Sequence, residues 1–178
     1  NLNYLYCNND SSLTELKLDG DRDLETLYCS NNPGITALDF TPCLNIKEIY
    51  CSDNAKLEQL IMTKYLYKLT TMNCTNCVSL TSLDLEGCQN LESLYCYDNA
   101  ALEKLILKKC SGLSLLNCWN DQSLSKVDLT GCRGLKNFYG HNTPALNELN
   151  ITDCGKLIDA MNGTLSADNP YNEYRSPD

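Results

Sequence analysis

One spacing constrains this chain more than any other feature. Cysteine recurs at Cys7, Cys29, Cys51, Cys74, Cys96 and Cys118, and Gly140 continues the column. The interval is 22 residues, except for 23 between Cys51 and Cys74. Two residues before each stands a large apolar side chain: Leu5, Leu27, Ile49, Met72, Leu94, Leu116 and Phe138. Half a repeat further on comes a second series: Leu16/Leu18, Leu38/Phe40, Leu60/Met62, Leu83/Leu85, Leu105/Leu107, Val127/Leu129 and Leu149/Ile151. Each pair flanks an outward residue, which is the pattern of a strand with one buried face. Strands this short cannot bury that face alone. Successive turns must stack and share a core, which is the logic of a solenoid.

The sequence therefore predicts a mainly β fold: a solenoid of about seven turns, with two parallel β-sheets and little helix. Equivalent strands at ~4.8 Å spacing give a slab roughly 30 to 35 Å long. The single 23-residue interval falls on Thr63–Lys68, TKYLYK, where a bulge is expected. The solenoid is expected over residues 1–160, with 161–178 as a C-terminal cap or tail on the last turn. Leu165, Tyr171 and Tyr174 are its candidate covering residues.

The unit is plainest in Leu91–Gly112, LESLYCYDNAALEKLILKKCSG. It holds Leu91-x-x-Leu94-x-Cys96-x-x-Asn99, then Leu102-x-x-Leu105-x-Leu107-x-x-Cys110. These residues resemble the leucine-rich repeat family, whose signature is L-x-x-L-x-L-x-x-N/C-x-L. The closest likeness is to bacterial variants with the signature nested twice per repeat, and it runs from about Leu2 to Ile158. Two departures stand out. One extra residue separates the Asn or Cys from the next Leu, as in Asn99-Ala100-Ala101-Leu102. The second half-unit reads as strand where many members carry a helix. The resemblance implies a leucine-rich-repeat β-solenoid flatter than the usual horseshoe, and a bacterial surface or secreted setting.

Composition narrows the partners. The net charge of −9 disfavours nucleic acid and anionic membranes, which select clustered Lys and Arg. No apolar run approaches the ~20 residues of a transmembrane segment. Asn1 begins in mid-pattern, so upstream repeats or self-association are expected at an uncapped N-terminal end. An extracellular or cell-surface location is expected, with the cytoplasm as the alternative, because twelve thiols suit a reducing setting.

The corners hold Asn9, Asn31, Asp53, Asn76, Asp98, Asn120 and Asn142 in one column, a position that tolerates left-handed backbone. The next column is Asp10, Asn32, Asn54, Cys77, Asn99, Asp121 and Thr143, expected to form a buried hydrogen-bond ladder. A second cysteine column, Cys43, Cys88, Cys110, Cys132 and Cys154, marks the other corner. Both cysteine columns are expected to face inward as free thiols. Parallel in-register neighbours at ~4.8 Å do not present the ~3.8 Å Cβ separation of a disulfide. Cys74-x-x-Cys77 has the spacing of half a zinc site, yet each residue is accounted for by its own column. No metal, disulfide or cofactor is expected.

If Leu94 and Cys96 point in, Ser93, Tyr95 and Tyr97 point out. The middle outward column then reads Tyr6, Tyr28, Tyr50, Asn73, Tyr95, Asn117 and Tyr139. The next reads Asn8, Ser30, Ser52, Thr75, Tyr97, Trp119 and His141. Tyr95, Tyr97, Trp119, Tyr139 and His141 are expected to form one exposed aromatic patch, with Tyr28 and Tyr50 as further binding candidates. The opposite sheet carries Lys17, Asp39, Ile61, Asp84, Ile106, Asp128 and Asn150, read as a solvated face. No nucleophile–base pair or phosphate loop accompanies His141, so no catalytic residue is assigned. The expectation is a non-enzymatic scaffold for a protein or peptide ligand. A carbohydrate-binding or adhesin-like surface protein is the alternative.

Overall fold

The structure is a computed structural model describing residues 2–64 and 66–157. Its strands are β1 (Tyr4–Tyr6), β2 (Thr26–Tyr28), β3 (Ala37–Asp39), β4 (Glu48–Tyr50), β5 (Gln59–Ile61), β6 (Thr71–Asn73), β7 (Ser82–Asp84), β8 (Ser93–Tyr95), β9 (Lys104–Ile106), β10 (Leu115–Asn117), β11 (Lys126–Asp128), β12 (Asn137–Tyr139) and β13 (Glu148–Asn150). Among the described residues, helix is confined to 155–157. The expected tail, 161–178, lies outside them.

β1, β2, β4, β6, β8, β10 and β12 pair in parallel, in that order, as one seven-stranded sheet. Leu27 sits opposite Ile49, Ile49 opposite Met72, Met72 opposite Leu94, and Leu94 opposite Leu116. These five side chains have no exposed surface. Each contributes about 1.5–3 kcal/mol by leaving water. In β4, β6, β8 and β10 the middle residue is buried and its neighbours half-buried, the alternation read from the sequence.

The second face departs from the expected continuous sheet. β3 pairs with β5, while β7, β9, β11 and β13 form a separate four-stranded sheet. The break between β5 and β7 coincides with the 23-residue turn through Thr63–Lys68. The first sheet absorbs that insertion, since Glu48 still pairs with Thr71. On the other side the sheet divides at this turn; the bulge expected there falls on a segment whose Tyr65 lies outside the described residues. The first turn also lacks its second strand: Leu16 and Leu18 flank no paired segment, and nothing in Glu15–Lys17 accounts for it.

The corners hold as expected. Asn9, Asn31, Asp53, Asn76, Asp98, Asn120 and Asn142 have φ between 54° and 63°. Their side chains also bond turn to turn: Asn31 Nδ2 donates to Asn9 Oδ1 at 2.8 Å, and Asn76 Nδ2 to Asp53 Oδ1 at 2.8 Å. At the other corner Gly20, Gly87, Lys109, Gly131 and Asp153 take left-handed φ.

One column further, buried asparagines clamp each turn to the last. Asn54 Nδ2 donates to the Cys51 carbonyl at 2.9 Å and to the Cys29 carbonyl of the preceding turn at 3.0 Å. Its Oδ1 accepts from the Asn32 N–H at 2.8 Å. Asn32 and Asn99 repeat the arrangement. Thiols substitute where cysteine stands at a corner. Cys77 Sγ donates to the Cys51 carbonyl at 3.2 Å, Cys110 to Leu85 at 3.1 Å, and Cys154 to Leu129 at 3.0 Å. All twelve cysteines are free and all are buried except Cys7, which is half-buried. Burial pushes every resolved thiol pKa up, those of Cys43 and Cys88 to about 11.

Candidate binding face

The seven-stranded sheet aligns three outward columns. The first is Tyr4, Thr26, Glu48, Thr71, Ser93, Leu115 and Asn137. The second is Tyr6, Tyr28, Tyr50, Asn73, Tyr95, Asn117 and Tyr139. Backbone pairing runs on past the strands, with Cys118 N donating to the Tyr139 carbonyl at 2.9 Å and Asn120 N to His141 at 3.1 Å. That continuation carries the third column, Asn8 to His141, onto the same surface.

The rings stack along the solenoid axis. Tyr6 and Tyr28 have centroids 4.4 Å apart, and Tyr28 and Tyr50 4.7 Å, with planes within 7° of parallel. In the third column Tyr97 lies 5.3 Å from Trp119, and Trp119 5.5 Å from His141. Tyr95 and Tyr139 flank Asn117 in the neighbouring column. The expected patch was an exposed one, and its rings are less open than that. Tyr28, Tyr50, Tyr95, Tyr97, Trp119 and Tyr139 are half-buried, and His141 is exposed. Each inner ring is covered on both faces by its neighbours, so it offers an edge to solvent. Burial, then the neighbouring phenols and Glu48, raises the Tyr28 pKa; burial, then Glu48, raises that of Tyr50. These hydroxyls therefore remain neutral donors near pH 7.

Charge separates the two faces. Apart from His141, Glu48 is the single charged residue in the three columns of the seven-stranded sheet. The opposite face carries Glu15, Lys17, Asp19, Asp39, Asp84, Glu86, Lys104, Lys108, Lys126, Asp128 and Glu148. Its aspartates serve their own backbone. Asp39 Oδ1 accepts from Thr41 N at 2.8 Å, and Asp84 Oδ1 from Glu86 N at 3.0 Å. Asp128 is not solvated as expected: it is 5% exposed. Its Oδ1 accepts from Thr130 Oγ1 at 2.7 Å, and its Oδ2 lies 3.3 Å from Lys108 Nζ. Burial raises its pKa, but the Thr130 and Lys108 contacts outweigh that and hold it below the ordinary value.

Two clefts open where the second face is interrupted. One, of about 310 Å³, lies between Thr14–Asp19 and Thr36–Asp39. The other, of about 140 Å³, is lined by Leu60, Met62, Thr63, Lys64, Asp84 and Glu86. Both are small and carry charge, unlike the mostly apolar pockets of small-molecule sites. Among the described residues, no group of His, Cys, Asp or Glu has metal-binding geometry. Nor is any helix there long and apolar enough to cross a membrane.

Stacked turns, clamped by buried asparagines around an inward cysteine column, make this a parallel β-solenoid with a ladder of cysteines, whose turns resemble leucine-rich repeats. Among solved structures the chain is similar to the functional domain of InlJ from Listeria monocytogenes, which includes a cysteine ladder. The identity is 22% and the TM-score 0.37, over 88% of this chain and 43% of that one. The chain thus spans less than half the length of that structure. No protein-family model matches it, and no curated protein does.

Proposed function

We propose that the chain is a non-enzymatic binding scaffold that recognises a protein or peptide through the aromatic face of its seven-stranded sheet. The observation that carries this reading is the charge asymmetry. An acidic protein keeps one face nearly free of charge and builds it from Tyr, Trp, Ser, Thr and Asn. Rigid aromatics with adaptable small polar residues are the composition of evolved binding surfaces. Charge-depleted cores are likewise typical of interfaces. Against catalysis, His141 has no carboxylate partner on its sheet in the described residues, and Asp39, Asp84 and Asp128 lie on the other.

The carbohydrate alternative needs an open aromatic face on which a sugar ring can lie. Trp119 has both faces covered, by Tyr97 and His141. Ring edges with polar neighbours suit a peptide backbone and side chains better. We place the scaffold outside the cell or at its surface. Its buried, protonated thiols are unreactive in an oxidising setting, so their number does not argue for the cytoplasm. The open edge of β1, with Leu2, Tyr4 and Tyr6 exposed, is where we place further repeats or a second copy.

Selection of a displayed random-peptide library against the protein tests the reading. Selected peptides should lose about 30-fold or more in affinity on Trp119→Ala, as for a central hot spot. They should be indifferent to Asp39→Ala and Asp84→Ala on the far face. Peptides that ignore Trp119→Ala, or saturable glycan-array binding that this change abolishes, would overturn it.

A further inference from the structure

One rung of the corner ladder has different chemistry from its neighbours. At Asn32, Asn54 and Asn99 the side-chain oxygen accepts an N–H from the preceding turn. The nitrogen donates to two cysteine carbonyls, three and 25 residues back. Asp121 occupies the same column and is fully buried. Its Oδ1 accepts from Asn99 N at 2.8 Å, as an asparagine oxygen would. That leaves Oδ2 in the place of the donating nitrogen, buried and without a partner. By the pattern of the other rungs, the atom there faces the carbonyls of Cys118 and Cys96. The Cys118 carbonyl receives no hydrogen bond among the described residues. An ionised oxygen set against carbonyl oxygens in a dry interior is repelled, whereas a carboxylic acid supplies the missing O–H.

We propose that Asp121 is held as the neutral acid, donates its proton to the Cys118 or Cys96 carbonyl, and so makes this rung, two residues from Trp119, a proton-dependent clamp. On ionisation the O–H···O=C bond is lost, the proton passes to solvent and the turn loosens. The surroundings agree. On its own turn Asn120 and Gln122 are uncharged. On the next, Thr143 is uncharged and donates to Gly140 O at 2.8 Å. On the preceding turn stands the Asp98 carboxylate, bonded by Asn120 Nδ2. On the inner side lie the thiols of Cys74, Cys96 and Cys118. Burial raises the Asp121 pKa to about 8; the Asn99 N–H opposes the rise and Asp98 adds to it. His141 sits on the outer face of the following turn. The inference is independent of what binds the aromatic face.

The sign follows from linkage. An unfolded aspartate titrates near ~3.9, below the native group. The stabilising contribution is complete below that pH and is lost as pH rises towards the native pKa. Across this window the Asp121 term raises the unfolding equilibrium constant about tenfold per pH unit. Two measurements test it on the whole chain. Carboxyl 13C NMR of the native protein should show Asp121 titrating well above the ordinary carboxylate range. Denaturant unfolding of the protein and of Asp121→Asn should show the variant more stable, with a gap that widens between about pH 4 and about pH 8. Titration of native Asp121 in the ordinary range, or a gap that does not change with pH, would overturn the proposal. Should Asp121→Asn fail to fold, the titration of the unaltered protein decides alone.

Discussion

The indole of Trp119 lies nearly parallel to the imidazole of His141, with centroids 5.5 Å apart and planes 11° from parallel. Because Trp119 is the sole tryptophan, emission reports on its surroundings alone, with Tyr97 on one face and His141 on the other. Replacing His141 by Ala uncovers one face of the indole. The expected outcome is a shifted emission maximum and a stability loss of about 0.5–1.5 kcal/mol, the range of an aromatic pair. An emission spectrum identical to that of the unaltered protein would show that the rings do not stack in solution.

Asn54 serves three backbone groups on two consecutive turns: two carbonyls accept from it and one N–H donates to it. Asn54→Ala leaves the Asn32 N–H buried without a partner and takes one of two donors from each carbonyl, since Asn32 Nδ2 still serves Cys29 and Cys77 Sγ still serves Cys51. The orphaned N–H costs about 1–3 kcal/mol and each lost bond about 0.5–1.5 kcal/mol, so the variant should lose about 2 kcal/mol or more in denaturant unfolding. Asn8→Ala removes one exposed bond, to Ser30 N, and should change stability by less than about 1 kcal/mol. Equal effects at the two sites would refute the ladder as a source of stability.

The cysteine columns predict a sharp contrast in reactivity. Eleven thiols are buried, and burial holds them protonated at neutral pH. Cys7 is half-buried at the first turn, its pKa raised by burial and then by Asp10. A disulfide reagent at mildly alkaline pH should therefore modify Cys7 alone in the folded protein, and slowly. Cys7→Ser should abolish that reaction. All twelve should react after denaturation. Rapid modification of several thiols without unfolding would contradict the inward placement.

At the second corner Lys109 holds φ of 62° in a column where Gly87 and Gly131 hold 82° and 80°. A left-handed conformation costs a residue with a Cβ about 1 kcal/mol. Its Nζ lies 3.9 Å from Glu86, too long and too exposed to offset that. Lys109→Gly is expected to stabilise the protein by roughly 0.5–1 kcal/mol, read as a raised denaturation midpoint. A lowered midpoint would mean that the lysine stem contributes more by packing.

Much of this was written in the order of residues. Leu94 and Cys96 had to point inward once Leu91 and Leu102 fixed the period, and Tyr95 and Tyr97 had to point outward. Asn120 announced a left-handed corner, because few side chains tolerate that backbone. Burial in a one-dimensional stack depends on neighbours of known offset, so a fixed period determines fold, phase and register together.

Other features needed three dimensions. The 23-residue turn marked Thr63–Lys68, yet only the packed structure shows the first sheet carrying the insertion while the second divides between β5 and β7. The column of Tyr97, Trp119 and His141 was legible; that the rings lie face to face was not. Side-chain rotation is set by the rings one turn above and below, and no local pattern encodes it. Asp121 reads in sequence like any other corner Asx residue. Its buried oxygen becomes visible only where the Asn99 N–H fixes one end of the carboxyl and leaves the other without a partner. The period alone set which side chains point inward, though not that outward Asp128 would be buried; how each met its neighbours was decided by contact between turns, because packing acts through space and not along the chain.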